Sequence, residues 1–173
     1  MANARFSIAP AYYTGSEVTP EVTVTHSGKT LVKDRDFIVT YHNNIEPSSY
    51  YNSPWVGIDG IGNYQGYVTK SFTINRADIS SCTVTLSDES LTYTGSSLRP
   101  TATVKSGDKE LTLNQDYYVS YRNNWDAGTA SAILTGTGNY TGSVTKDFTI
   151  KPLDISRYSA SLSQYSYTSD GTE

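Results

Sequence analysis

The chain has 173 residues, 17 acidic against 13 basic groups and a formal net charge of −4, enough for one mid-sized domain or two small ones. Hydrophobic residues reach only 36%, yet Tyr occurs 15 times and aromatics make up 12%, a mixture suited to pleated, half-buried surfaces. No apolar run approaches the roughly 18 residues of a membrane span, no basic stripe suits nucleic acid, and the single cysteine, Cys82, rules out an intrachain disulfide or a Cys-cluster metal site.

The N-terminus, Met-Ala-Asn-Ala-Arg-Phe, lacks the apolar core of a secretory signal. Tyr13-Thr14-Gly15-Ser16 then marks a turn, and Phe37, Val39 and Tyr41 alternate with Ile38, Thr40 and His42 as one inward strand face. The pair Asn43-Asn44 punctuates the chain before the run Ile45–Pro54. Val56 and Ile58 form a second inward face, which puts Trp55 on the outward side beside that run. Gly62-Asn63-Tyr64-Gln65-Gly66 reads as a hairpin turn into a last strand, Val68–Ile74.

The same order then returns. Tyr93-Thr94-Gly95-Ser96, Pro100, Val104, Leu111, Asp116, Tyr121 and Asn123-Asn124 repeat the earlier residues at an offset of 80. Gly138-Asn139-Tyr140-Thr141-Gly142, Val144–Ile150 and Asp154-Ile155-Ser156 repeat at 76, so the first copy carries four extra residues, in the run 45–54. Strands are predicted in the second copy over Cys82–Leu86, Leu91–Tyr93, Thr101–Lys105, Glu110–Leu113, Tyr117–Arg122, Thr129–Gly136 and Ser143–Ile150. Such spacing with Gly and Asn punctuation is that of a sandwich or barrel. Tyr165-Ser166-Tyr167-Thr168 opens a third copy, which breaks off by Glu173. The expected organisation is all-β: two tandem immunoglobulin-like β-sandwich domains, 1–76 and 77–152, each closed by its own strands, and a truncated start of a third repeat, 153–173.

Taken together, Tyr-Thr-Gly, the downstream Pro, Asp116-Tyr117-Tyr118-Val119-Ser120-Tyr121-Arg122-Asn123-Asn124, Gly136-Thr137-Gly138-Asn139-Tyr140-Thr141-Gly142 and Phe148-Thr149-Ile150 resemble the MBG/YDG-type bacterial immunoglobulin-like repeats. The resemblance covers both copies. It implies tandem, non-catalytic units of a secreted or cell-surface protein, a stalk or adhesin segment whose partners are neighbouring repeats.

Two sets of residues carry possible chemistry. Tyr50, Tyr51 and Trp55 lie where the copies differ most, and exposed aromatics there would stack on a glycan or anchor a host protein. The competing reading, which is favoured, has the insertion fold over its own rings or Trp55 pack on the neighbouring unit. In the last strands, Lys70 and Lys146 share parity with core residues. A buried lysine needs a partner; Asp36 and Asp116 are candidates for an ion pair. An isopeptide bond to Asn43, Asn44, Asn123 or Asn124 is the sharper alternative, known from other bacterial surface sandwiches. The favoured reading is a surface or ion-paired lysine whose stem lies on the core. His26 and His42 lack counterparts in the second copy (Ser106 and Arg122) and a third ligand, so no metal is expected, nor any cofactor, catalytic residue, nucleic-acid contact or membrane insertion within these residues. The trailing segment is expected to extend as an exposed strand or to add to a sheet edge of another molecule.

Overall fold

A computed structural model describes residues 4–163, 165–166, 169 and 171 of the chain. It is nearly all-β, and among the described residues the helical elements are two short 3-10 turns at Ile79–Ser81 and Ile155–Arg157. In chain order, the first half carries β1 (Ala4–Ser7), β2 (Ala11–Tyr12), β3 (Thr23–His26), β4 (Lys29–Thr30), β5 (Phe37–His42), β6 (Trp55–Gly60), β7 (Tyr67–Ser71) and β8 (Ile74–Asn75). The second carries β9 (Ala77–Asp78), β10 (Thr83–Leu86), β11 (Ser90–Thr92), β12 (Ala102–Ser106), β13 (Lys109–Glu110), β14 (Tyr117–Arg122), β15 (Gly128–Gly136), β16 (Tyr140–Thr141) and β17 (Ser143–Lys151).

Corresponding strands pair alike. Sheets β1-β3-β4 and β10-β12-β13 are three-stranded and antiparallel, with Val24 facing Phe6 in one ladder and Val104 facing Val84 in the other. Opposite them lie β5-β6-β7 in the first half and the four-stranded β11-β17-β15-β14 in the second, a sandwich-like arrangement. A short parallel pairing, β2 with β8 and β11 with β17, recurs as well. The alternation read from the sequence holds: Phe37, Val56, Ile58, Tyr117, Ala132 and Leu134 are buried, while Thr40, His42, Ser120 on the opposite face are open or half-open to solvent.

The residues that recur at fixed offset hold turns and loops. The Tyr41 hydroxyl donates to the Pro20 carbonyl at 2.6 Å, and the Tyr121 hydroxyl donates to that of Pro100 at 2.6 Å. Asn43 and Asn123 adopt left-handed backbone, φ 54° and 53°, which Asn tolerates. The expected strand Glu110–Leu113 shortens to Lys109–Glu110 because the chain turns just beyond it. There the Thr112 N–H donates to the Asp116 carboxylate at 2.8 Å, and Asn114 takes φ 65°.

The halves differ around the insertion. β15 and β17 pair without a break from Gly128↔Ile150 to Thr135↔Ser143. In the first half the same ladder stops at Trp55↔Ser71, and Ile74–Asn75 forms a separate strand. Buried Pro54 stands where the second half has Ala130, and proline has no N–H to give to a ladder. Phe72 N–H still donates to the Pro54 carbonyl at 3.0 Å, and two residues on, where Gly128 pairs with Ile150 in the second half, the insertion takes over: Ser48 N–H donates to the Ile74 carbonyl at 2.8 Å, and Ile74 N–H donates to Ser48 Oγ at 3.0 Å.

Apolar packing does not stop at the 76/77 boundary read from the repeat. Val24, Leu31, Phe37, Val56 and Ile58 form one cluster within the first half. Tyr13, Val18, Phe72 and Ile74, from the same half, join the larger cluster of Ile79, Val104, Leu134, Tyr140 and Phe148. The cores are therefore continuous at one end rather than separately closed. Residues 158–163 are exposed and, among the described residues, pair with no strand. Of the expected third copy, Tyr167, Thr168 and Glu173 lie outside the described residues, as does the N-terminal Met-Ala-Asn.

Candidate functional site: an aromatic surface and a packed junction

The ten-residue run 45–54 is a built loop. Asn52 Nδ2 donates to the carbonyls of Glu46 at 2.8 Å and Pro47 at 3.2 Å, and Ser49 N–H donates to the Asn52 carbonyl at 2.8 Å. This brace holds Tyr50 and Tyr51 away from the body, each 94% exposed, with their rings edge to face at 5.0 Å. Trp55 does not join them. It faces His42 across the β5–β6 ladder, and the two rings stack at 3.8 Å between centroids and 12° between planes. The insertion thus leaves its tyrosines uncovered, and Trp55 is half-covered by a histidine rather than by the neighbouring unit. Sequence reasoning missed His42 as the partner, although the cross-strand position was available from the strand faces. It also passed over Trp125, which is 54% exposed in the second half.

The lysines are on the surface. Lys70 faces Val56 and Lys146 faces Ala132 across their ladders, so the parity is right, yet both lysines are exposed. The reason is lateral: β7 is an edge strand, and β11 covers β17 only at Thr149–Lys151, so each lysine stem escapes past an open edge. Neither pairs with Asp36 or Asp116. Asp36 accepts from Val32 N–H at 2.8 Å and from the Arg35 guanidinium at 2.8 and 3.0 Å. Its hydrogen bond from Arg35, with that from Val32 N–H, lowers its pKa to about 2. Asp116 accepts from Thr112 N–H. The amides are committed too: Asn44 Nδ2 donates to the Val18 carbonyl at 3.2 Å, and Asn124 Nδ2 to that of Leu98 at 2.8 Å. In place of the Lys–Asp ion pairs and Lys–Asn bonds, each acid clamps its own loop and each second asparagine ties its turn to a carbonyl 26 residues earlier in the chain.

The second surface is the junction, assembled from motifs in both halves. Tyr13 packs edge-on against Tyr140, 5.7 Å between centroids at 89°, and Lys109 Nζ lies 5.7 Å from the Tyr13 ring centroid. Burial raises the Tyr140 phenol above its ordinary pKa while hydrogen bonding from Ser106 and the charge of Lys109 pull it down. The connecting segment β9 pairs in parallel with β16, and Ala77 N–H donates to the Asn139 carbonyl at 3.0 Å. Asp78 caps the following 3-10 turn by accepting from Ser80 N–H at 2.9 Å, a bond that lowers its pKa. That turn drives Ile79 into the second half's core, where it is fully buried.

Gly142 sits against this cap with φ +76°, and a Cβ there would stand 2.5 Å from Asp78 Oδ1. Its counterpart Gly66 would meet nothing within 4 Å. The Gly-Asn-Tyr-x-Gly motif, read from the sequence as a hairpin turn, is in the second half also the platform that receives the connecting segment.

Among the described residues no group of three His, Cys, Asp or Glu side chains is placed to hold a metal ion, and no helix is long and apolar enough to cross a membrane. Comparison with family models, with curated proteins and with solved structures returned no match.

Proposed function

We propose that the chain is a non-catalytic spacer: two immunoglobulin-like repeats of the MBG/YDG type, from the extracellular stalk of a bacterial cell-surface or secreted adhesin-like protein. The observation that carries this reading is the junction. A flexible tether needs no buried contact, whereas here Tyr13, Lys109, Tyr140, the Asp78 cap and buried Ile79 tie the halves at several points. Stiffness between neighbours is what a linear array requires in order to hold something at a distance. The partners of such a unit are the repeats before and after it.

The test is a distance distribution between spin labels at Glu21 and Thr145, both exposed, in a Cys82→Ser background. A spacer gives one narrow distribution, which Tyr13→Ala broadens. A broad distribution in the unsubstituted chain would end the reading.

A second reading is favoured by one observation, the uncovered Tyr50–Tyr51 pair on a braced loop. In it the first half binds a glycan or a host protein through Tyr50, Tyr51 and Trp55. Glycan arrays with the native chain and with Tyr50→Ala/Tyr51→Ala separate the two: binding lost on substitution supports the adhesion module, and no binding to any glycan leaves the spacer.

A further inference from the structure

The far end of the second half repeats one side of the junction with the other side open. Tyr93 occupies the place of Tyr13, and Asp154-Ile155-Ser156 the place of Asp78-Ile79-Ser80. The turn is already formed: Asp154 accepts from Ser156 N–H at 3.0 Å and from Ser156 Oγ at 2.7 Å, and Tyr158 N–H donates to the Ile155 carbonyl at 3.1 Å. The hydrogen bonds from Ser156 lower the Asp154 pKa, as those from Ser80 lower that of Asp78. The burial is opposite. Ile79 is 0% exposed and Ile155 84%.

An apolar groove of about 420 Å³ runs beside it, lined by Tyr93, Ala127, Leu153, Ile155 and Tyr158 with Asp126 at its edge. Beyond the turn, Tyr158, Ala160 and Leu162 hold the alternate positions that Cys82, Val84 and Leu86 hold in the second half. Val84 and Leu86 are buried on β10, whereas Tyr158 is 61% and Leu162 67% exposed. An exposed set of apolar residues at strand spacing, preceded by a finished cap, is a first strand without its sheet.

We infer that the Tyr93–Ile155–Leu162 surface is a docking site for one occupant: a β-sandwich unit of this same repeat class, which takes residues 159–162 as its first strand. It seats its own Gly-Asn-Tyr-x-Gly platform against Asp154, as Gly142 and Tyr140 meet Asp78 and Tyr13. It sets a tyrosine edge-on to Tyr93 and a hairpin lysine over that ring, and it buries Ile155. The first half does not meet the description, because β1 already fills its first-strand position. The inference deepens the spacer reading by naming what its far end receives. It stands or falls separately, since the spacer reading fails on flexibility at Tyr13–Tyr140 and this one on events at Tyr93–Leu162.

The experiment uses the intact 173-residue chain carrying a further copy of residues 87–152, a unit without its first strand, after Glu173. The long connection this leaves costs little in loop closure. Hydrogen exchange is followed at residues 155–162 with and without the addition. Docking slows exchange at 159–162 by about 100-fold or more. Ile155→Asp/Leu162→Asp abolishes that protection, and Tyr93→Ala reduces it while exchange at the Ala77–Ile79 junction stays as it was. Equal exchange with and without the added unit overturns the inference, and so does protection that survives Ile155→Asp/Leu162→Asp. Concentration-dependent protection in the unextended chain, with a dimer in sedimentation, overturns it as well, because the occupant is then a second copy.

Discussion

The two halves solve one problem in different ways. In the second, β15 and β17 run as an unbroken ladder from Gly128↔Ile150 to Thr135↔Ser143. In the first, Pro54 removes the donor that Ala130 keeps, and Ser48 bonds Ile74 from the side. A sheet interior therefore accepts an insertion when an inserted residue bonds the strand beyond the break, as Ser48 does at Ile74, and the other inserted residues gain a free surface. The tyrosine pair stands on that surface.

The comparison is broken most severely by Ala130→Pro. Proline in this central strand deletes a donor facing Phe148 and destabilises the second half by about 3 kcal/mol or more. The reciprocal Pro54→Ala changes stability by only about 0.5 kcal/mol, since Phe72 N–H already donates to the residue-54 carbonyl and the strand beyond is held by Ser48 at Ile74. Denaturant unfolding of both variants checks the asymmetry; equal losses would show that the ladders are not different in kind.

Gly142→Ala and Gly66→Ala come next. Both positions have left-handed backbone, worth about 1 kcal/mol against a Cβ. Gly142→Ala also pushes the Asp78 cap off Ser80 N–H, for a total of about 2–3 kcal/mol, and loosens the junction. Unfolding midpoints of the two variants should differ accordingly. Ser48→Ala, which leaves Ile74 N–H without its acceptor, costs about 1 kcal/mol and makes exchange at Ile74 faster.

The smallest effect is in acid. Asp36 has its pKa lowered to about 2 by Arg35 and Val32 N–H, so its contribution is fully present above its ordinary value near 4 and is lost as pH falls through about 2. Asp116 has Gln115 where Asp36 has Arg35. Arg35→Gln gives both loops the same partners, and the first half then unfolds at a higher pH in an acid titration followed by NMR, while resonances of the second half keep their midpoint.

Much of this was legible in the sequence. Strand positions in the second half, the inward faces of Phe37, Val56, Ala132 and Leu134, and the recurrence of Tyr41 and Asn44 all follow from period-two alternation and fixed offset, both local properties. Alternation gives the side of a sheet on which Lys70 lies but not the distance to the sheet's edge, and it is the edge that frees the lysine. Likewise the loop roles of Asp36 and Asn44 depend on backbone groups at Val32 and Val18, which no side-chain pattern displays. Alternation also puts Trp55 on the outward face, and its stack on His42 needs only the register between two strands. The junction was least legible: Tyr13, Lys109 and Tyr140 are far apart in the chain, and each has a counterpart in the other copy whose surroundings are different.

Residual dipolar couplings of backbone amides in both halves test the central claim, that the junction fixes one half upon the other. A rigid pair gives couplings from residues 4–75 and 77–151 that fit a single alignment tensor, and Tyr13→Ala splits it into two of unequal magnitude. Two unequal tensors in the unsubstituted chain would contradict the account.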